Sequence, residues 1–266
     1  MSLGFGRVVN FLLRPTGYRL VRNRKAPPPA PAGDGAYAED GLTSVHAHEF
    51  LEDAEFLAAY ARGVKATGVD YGWRWRVHVG LWVASQAARL PGDFVECGVN
   101  RGFLSSAVMH HLRWNSLAKT FWLLDTFRGM DERYVSDVEK GEGALEANRE
   151  RIASGFYVSS AADVRANFAE WERVRIVEGP IPDTLAQVEA REVAYLHLDL
   201  NCSPPEVAAA EHFWPRLVPG AFVLLDDYAY RGYGRQKEAM DAFARSKGVS
   251  VLSLPTGQGL IVKPPS

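Results

Sequence analysis

The sequence predicts an α/β protein built on a doubly wound, mostly parallel sheet, and three observations lead there. From Asp93 onward, apolar runs of strand length alternate with segments whose apolar residues recur at helical spacing. Four of the runs end on an acid: Asp93-Phe94-Val95-Glu96, Phe121-Trp122-Leu123-Leu124-Asp125, Val193 through Leu198 into Asp199, and Ala221 through Leu225 into Asp226-Asp227. The carboxyl ends of parallel strands share one edge of an open sheet, so five carboxylates fall along one crevice. The last two runs, near 249–254 and 258–263, follow each other across the short Pro255-Thr256-Gly257 turn, which predicts a closing hairpin and one antiparallel strand.

The elements follow in order. Residues 1–25 carry Arg7, Arg14, Arg19, Arg22, Arg24 and Lys25 with no acid, interleaved with apolar residues. The apolar run is too short to span a bilayer, and Arg7, Asn10 and Pro15 interrupt any signal-peptide pattern. Two readings stay open for this segment: contact with an anionic membrane surface, or docking against another protomer. The tract Ala26-Pro27-Pro28-Pro29-Ala30-Pro31-Ala32-Gly33 reads as a semi-rigid linker. Helical spacing over 50–64 and 73–90, stopped by Pro91-Gly92, gives a lead-in, so the chain divides into 1–35, 36–91 and 92–266. Beyond it come a strand at 93–97, a helix at about 103–113, a strand at 120–125 and a polar, largely helical stretch at 131–170. Strands at 174–177 and 193–199 follow, then a helix at about 205–217 opened by Pro204-Pro205, a strand at 221–226 and a helix at about 235–247.

The 266 residues are 47% hydrophobic and 23% charged with a formal net charge of -2, an ordinary globular balance with no field to attract nucleic acid. Cys97 and Cys202 lack metal-site spacing, which fits a reduced, cytoplasmic protein.

The first strand leads into Glu96-Cys97-Gly98-Val99-Asn100-Arg101-Gly102 before a helix. A dinucleotide fingerprint needs G-x-G-x-x-G, and here Glu96 stands where the first glycine would be. An acid there repels a pyrophosphate and favours a cationic cofactor such as S-adenosylmethionine, which carries a sulfonium and an ammonium group. Asp125, ending the next strand, is placed to accept both ribose hydroxyls. The plainer alternative makes Gly98 and Gly102 a tight turn and pairs Glu96 with Arg101 or Arg74.

Asp199, Asp226 and Asp227 end two strands across the switch point. Three convergent carboxylates repel unless a cation offsets them, and an oxygen-only set suits Mg²⁺ or another hard divalent ion. An acceptor hydroxyl beside such an ion becomes more acidic, as methyl transfer to oxygen requires. Asp226 and Asp227 could equally be a turn cap and a solvated loop acid. His197 points to the same side of its strand as Asp199, as an aid to deprotonation or as a hydrogen-bonded histidine buried in the sheet.

At these residues the chain resembles the macrocin O-methyltransferase family. The stretches that carry the likeness are Gly92-Asp93-Phe94-Val95-Glu96-Cys97-Gly98-Val99, Leu124-Asp125-Thr126-Phe127-Arg128-Gly129-Met130 and Leu217 through Tyr228. The resemblance runs from about Trp73 to the carboxyl end. It implies a class I methyltransferase (Rossmann-like) fold, S-adenosylmethionine as donor, and a Mg²⁺ site on Asp199, Asp226 and Asp227, with Asp199 the first choice of general base. The acceptor would be a hydroxyl of a sugar, glycoside or related metabolite. Where much of the family has Asp-Gly-Asp, this chain has Asp199-Leu200-Asn201, so a second carboxylate is missing. By analogy with catechol-type methyltransferases, Gly179-Pro180-Ile181 is expected to approach the adenine, with Ile181 either offering an apolar face to the ring or serving as a core residue. The stretch from Phe127 to Ser160 and residues around Tyr71 to Arg76 are expected to cover the acceptor, with Trp73, Trp75 and Arg76 as candidates to line a sugar pocket or to be packing residues.

A homo-oligomer is expected. Two other functions are weighed: a non-catalytic S-adenosylmethionine-binding scaffold in a glycan or polyketide assembly complex, which has no need of three convergent carboxylates, and an NAD-dependent sugar enzyme, which Glu96 disfavours.

Overall fold

The computed structural model describes residues 37–265, so the basic segment 1–25 and the proline tract lie outside the described residues. The described residues fall in two units: Tyr37, Ala38 and Thr43–Ala47 belong to one, and 39–42 and 48–265 form the other, which holds the main sheet, its helices and the cavity. Strands β1 (Tyr37–Glu39) and β2 (Leu42–Ser44) make a short two-stranded sheet.

Two helices precede the main sheet. Helix α1 (Ala54–Thr67) starts where the Asp53 side chain accepts a hydrogen bond from the Phe56 amide at 2.7 Å, and ends at Gly68 in the left-handed region. Helix α2 (Arg74–Ala87) buries Arg76, Val77, Gly80, Leu81, Val83, Ala84 and Ala87. Their ends fall within four residues of the expected 50–64 and 73–90, with 49–52 forming a separate 3₁₀ turn.

The sheet then builds as anticipated: β3 (Asp93–Cys97), β4 (Phe121–Asp125), β5 (Val174–Glu178), β6 (Val193–Leu198), β7 (Leu217–Leu225), β8 (Leu252–Ser253) and β9 (Gly259–Val262). The strand order is β5-β4-β3-β6-β7-β9-β8, and β9 alone runs antiparallel to β7 and β8. The order reverses between β3 and β6, and the crevice at that switch point opens beyond their carboxyl ends. Strand β7 begins four residues earlier than expected. Its pairing with β6 shifts register between Val193 and Tyr195, and this irregularity absorbs Pro219 and Gly220, which would otherwise break a regular ladder.

Helices α3 (Phe103–His111), α4 (Asp137–Gly141), α5 (Ala144–Ala153), α6 (Ala161–Phe168), α7 (Ser203–Phe213) and α8 (Gly234–Ser246) complete the unit. Helix α4 carries a full capping box between Ser136 and Glu139, and α7 has proline in its first turn, as Pro204-Pro205 led us to expect. Every residue of β6 is buried, as in a strand covered on both faces. The core centres on Phe94, Trp114, Phe121 and Tyr195; Phe94 and Tyr195 are register partners on β3 and β6, with ring centroids 4.9 Å apart. Among the described residues, no helix is long and apolar enough to cross a membrane.

Candidate active site

A cavity of about 480 Å³ opens at the carboxyl ends of β3, β4, β6 and β7. Glu96, Asp125, Asp199, Asp226 and Asp227 all line it, together with Gly98, Ile181 and His197. The five strand-end acids therefore do share one crevice.

The turn after β3 is fixed by close approach. Gly98 has φ +91°, and a Cβ there would stand 1.8 Å from the Asp199 carbonyl oxygen, so only glycine lets the two strand ends meet. Gly102 was expected at the cofactor but does not line the cavity. It caps α3 at φ +80°, where a Cβ would strike the Phe168 ring, so packing is what demands glycine there. Ile181 is buried on the cavity wall beside Gly179 and Pro180.

Asp125 is more occupied than expected. Its Oδ2 accepts from the Val99 and Asn100 amides at 2.7 and 2.8 Å, and its Oδ1 from the Phe127 amide at 2.6 Å. The carboxylate thus clamps the glycine turn to the turn after β4. Lone-pair capacity for a further donor remains mainly on Oδ1.

Glu96 pairs with neither Arg101 nor Arg74. Arg74 binds Glu39 and Asp70, and Arg101 donates to the Gly155 carbonyl. The Glu96 side chain is instead 3.0 Å from His197 Nδ1 through Oε1, while Oε2 is buried with no hydrogen-bond partner. On its other side, His197 Nε2 stands 3.6 Å from Asp226 Oδ1, an ion-pair distance too long for a hydrogen bond. Burial disfavours the imidazolium, but Asp226 and Glu96 outweigh it and hold the His197 pKa up to about 10.

Asp226 and Asp227 are bridged by Arg76 from α2. The guanidinium donates through Nη1 to Asp226 Oδ2 at 3.0 Å, and through Nη2 to the Asp226 carbonyl at 2.7 Å and Asp227 Oδ1 at 3.0 Å. Gln258 Nε2 donates to Asp226 Oδ1 at 3.0 Å. Burial alone would raise the Asp226 carboxyl, yet Arg76 and His197 prevail and hold it below the usual carboxylate range. For Asp227, burial and the Asp226 charge win over Arg76 and push its pKa up to about 6.

Asp199 is flanked differently. Its Oδ1 accepts from Asn201 Nδ2 at 2.9 Å, while Asn201 Oδ1 accepts from Tyr233 Oη at 2.8 Å and Arg151 Nη1 at 3.0 Å. Arg151 also donates to Tyr157 Oη and Tyr233 Oη at 2.9 and 2.5 Å. Asn201 sits at φ +58°, a left-handed conformation that asparagine tolerates better than most residues. Burial, then the charges of Asp226 and Asp227, raise the Asp199 carboxyl well above its ordinary range. Among the described residues, no three of His, Cys, Asp or Glu are arranged to hold a metal ion.

Sequence reading assigned the 127–160 stretch to the acceptor side without singling out Arg151 or Tyr157, and missed Tyr233 and Gln258; the four line the cavity from α5, two loops and the terminal hairpin. None lies in a motif, and nothing in local spacing marks them. Of the aromatic candidates, Trp73 lines the cavity and stacks on Tyr71 with centroids 4.4 Å apart. Trp75 packs instead on Phe50 and His78, off the cavity wall.

Comparison with known proteins places this geometry. A family profile described as Macrocin-O-methyltransferase (TylF) matches residues 82–252, more than half of the chain. The chain is 34% identical over 148 residues to a Streptomyces olivaceus 8-demethyl-8-(2,3-dimethoxy-alpha-L-rhamnosyl)-tetracenomycin-C 4'-O-methyltransferase, covering 53% of this chain and 54% of that protein. The match thus spans about half the length of that relative. It is 26% identical over 211 residues to the Micromonospora griseorubida mycinamicin III 3''-O-methyltransferase, covering 73% of this chain and 80% of that one. In fold it is similar to the O-methyltransferase NovP (TM-score 0.62, 20% identity, 76% of this chain and 88% of that one). The calicheamicin methyltransferase CalS11 is also similar (TM-score 0.56, 16% identity, 82% and 98%). The carboxylate-lined crevice, the class I sheet order and the profile match over most of that sheet agree: the chain belongs to the macrocin-O-methyltransferase family.

Proposed function

We propose that this protein transfers a methyl group from S-adenosylmethionine to a hydroxyl of a sugar or glycoside. The observation that carries this reading is Glu96. Its Oε2 is buried at the cavity wall without a partner, next to the Gly98 turn. His197 answers the charge at Oε1, but a buried carboxylate oxygen with no hydrogen-bond donor is still costly, and an ammonium group entering the cavity would satisfy it. A pyrophosphate would not, which counts against the NAD-dependent alternative.

Glu96, Gly98, Asp125 and Ile181 would receive the cofactor. Asp125 acts first through the clamp on the Val99-Asn100 turn, and Ile181 offers an apolar face to the adenine. His197, held between Glu96 and Asp226, is a fixed cation that orients both acids, a better fit to its surroundings than proton abstraction. Asp199 is the proton acceptor: it lines the cavity, Arg76 does not engage it, and the Asn201 amide orients one oxygen while the other stays available. The acceptor oxygen attacks the methyl carbon, the C–S bonding pair stays on sulfur, and the hydroxyl proton passes to Asp199.

A hard divalent cation such as Mg²⁺ would take Asp199, Asp226 and Asp227 as oxygen donors and lower the pKa of a neighbouring hydroxyl, but the Arg76 guanidinium occupies Asp226 and Asp227 here and, among the described residues, the three acids are not arranged around a cation position. The scaffold alternative has no use for these three carboxylates beside an open cavity. Calorimetry with S-adenosylmethionine and a screen of purified glycosides for the mass gain of one methyl group test the proposal. Absence of cofactor binding would overturn it. Asp226→Ala should abolish turnover while cofactor affinity is kept, and turnover retained in chelator would remove the metal from the scheme.

A further inference from the structure

Arg151, in the last turn of α5, is a cation on the cavity wall with no acid beside it. Its Nη1 donates to Tyr157 Oη at 2.9 Å and to Asn201 Oδ1 at 3.0 Å, and its Nη2 to Tyr233 Oη at 2.5 Å. A guanidinium has five N–H groups, so Nε–H and one N–H of Nη2 are left over. All three acceptors are neutral. Asn201 carries no charge, and burial holds both phenols protonated, pushing the Tyr157 pKa up to about 12 and Tyr233 above the ordinary tyrosine range. Among the described residues, no carboxylate comes within ion-pair distance of Arg151, whereas Arg76, which also lines the cavity, is spent on Asp226 and Asp227. Asp227 feels the Arg151 charge only at longer range. Three bonds to neutral oxygens need no net charge, and a guanidinium in a water-poor crevice is costly to leave without an anion.

We propose that Arg151 selects an acceptor sugar that carries an oxyanion, the carboxylate of a uronate or the phosphate of a sugar phosphate. This rests on the reading of the cavity as a sugar O-methyltransferase site and adds the class of sugar that it takes. Arg151 stands on the acceptor side: Asn201, which it holds, donates to Asp199 Oδ1 at 2.9 Å, and Asp199 is the group assigned to take the hydroxyl proton. The turn after β3, proposed for the cofactor, has a cation of its own in Arg101, which lines the cavity and donates to the Gly155 carbonyl. An oxyanion on the acceptor would accept from the unspent N–H groups of Arg151 in charge-assisted bonds. The guanidinium is already fixed by Tyr157 and Tyr233, its carbon 5.8 Å from each ring centroid, so binding orders little. A sugar anchored there presents its hydroxyl near Asp199, whereas a neutral sugar gains none of that anchoring.

The test is titration calorimetry on the full chain, wild type and Arg151→Gln, Arg151→Lys and Asn201→Asp, each saturated with S-adenosylhomocysteine so that no methyl group is transferred. The probes are matched trios of glucose, galactose and mannose derivatives: the neutral methyl glycoside, the methyl glycosiduronate and the hexose phosphate. In at least one trio, wild type should bind an anionic member at least tenfold more tightly than the neutral one, and the uronate and phosphate arms tell which oxyanion is preferred. Arg151→Gln should erase that preference. Asn201→Asp places a carboxylate at the Arg151 contact and should erase it with the guanidinium still present. Circular dichroism establishes that each variant is folded; if Arg151→Gln does not fold, Arg151→Lys should keep a weakened preference and Asn201→Asp tests the charge independently. Equal binding within every trio, no binding of any anionic member, or a preference that survives in Arg151→Gln overturns the inference and leaves methyl transfer standing. So does an equal loss of neutral and anionic members in Arg151→Gln, which would leave Arg151 as support for Asn201 alone. A matching loss of S-adenosylhomocysteine affinity in that variant would assign the guanidinium to the cofactor carboxylate and overturn the acceptor role. Absence of S-adenosylhomocysteine binding in wild type overturns the methyltransferase reading and the inference with it.

Discussion

Asp125→Asn is the sharpest test of how the turn after β3, and with it the proposed cofactor site, is held. The substitution keeps the shape of the side chain but leaves one oxygen where there were two. That oxygen can serve Val99 and Asn100, or it can serve Phe127; the new amide then points its own N–H groups at whichever backbone donors remain. Hydrogen bonds to a charged group contribute about 1.5–3 kcal/mol each, and a buried donor left unpaired costs about 1–3 kcal/mol. Loss of the charge on three bonds, with one of them replaced by a donor facing a donor, gives a destabilisation of about 3–5 kcal/mol. For a chain of this size that is a fall in Tm on the order of 8–15 °C. The turn that borders Glu96 and Gly98 is also released, so affinity for S-adenosylmethionine should fall by about 10–100-fold, equivalent to about 1.4–2.8 kcal/mol. Differential scanning fluorimetry and titration calorimetry read the two effects separately. A variant with unchanged Tm and unchanged cofactor affinity would refute both the clamp and the cofactor role of the turn. A lower Tm with full affinity would leave Asp125 as a structural residue only.

Four further outcomes are expected. Gly98→Ala should fail to give soluble protein or lose cofactor binding, since its Cβ would lie 1.8 Å from the Asp199 carbonyl oxygen; Gly220→Ala, also at positive φ but with only Leu90 at 3.8 Å, should cost about 1 kcal/mol and is the control. Glu206 is buried, and burial is the main cause that raises its pKa from 4.5 to about 8. The native state therefore binds more protons than the unfolded state across that window, and stability falls as pH rises from 4.5 towards 8. Glu206→Gln should then stabilise the protein by a few kcal/mol, roughly 1.4 per pKa unit, at pH 8 and by nothing near pH 4, as read by urea denaturation at the two pH values. Tyr233→Phe removes the hydroxyl that donates to Asn201 and accepts from Arg151. It should lower kcat about tenfold without changing cofactor affinity, through loss of one hydrogen bond that positions Asp199. Arg62→Ala, which unties α1 from Asn167 and Glu170, should lower Tm while leaving the cofactor affinity of the folded protein intact.

The parts of the site that sequence made legible are those the main chain supplies. Glu96, Asp125, Asp199, Asp226 and Asp227 end strands, and a parallel sheet sends such residues to one edge whatever surrounds them. Gly98 was legible for the same reason, since its place in a strand-to-helix turn calls for positive φ. Gly102 shows the limit: a second glycine in that turn has two explanations, ligand approach and contact with Phe168, and only the packing of α6 brings the second into view. The partners of the acids were not legible. His197 meets Glu96 across 101 positions of sequence, and Arg76 meets Asp226 across 150. No local period encodes either.

The sequence by itself therefore determined the layers, the strand directions and the row of acids, because periodicity and strand ends are local properties that tertiary contacts do not alter. The tertiary structure alone decided the state of those acids: which one faces a fixed imidazolium, which two hold a guanidinium, which one is left to an asparagine amide, and which carboxylate oxygen lies buried without a partner. Those outcomes depend on distances of a few ångströms between charges in a water-poor crevice. There, a displacement too small to change any secondary element alters whether a charge is paired, and with it what the residue can do.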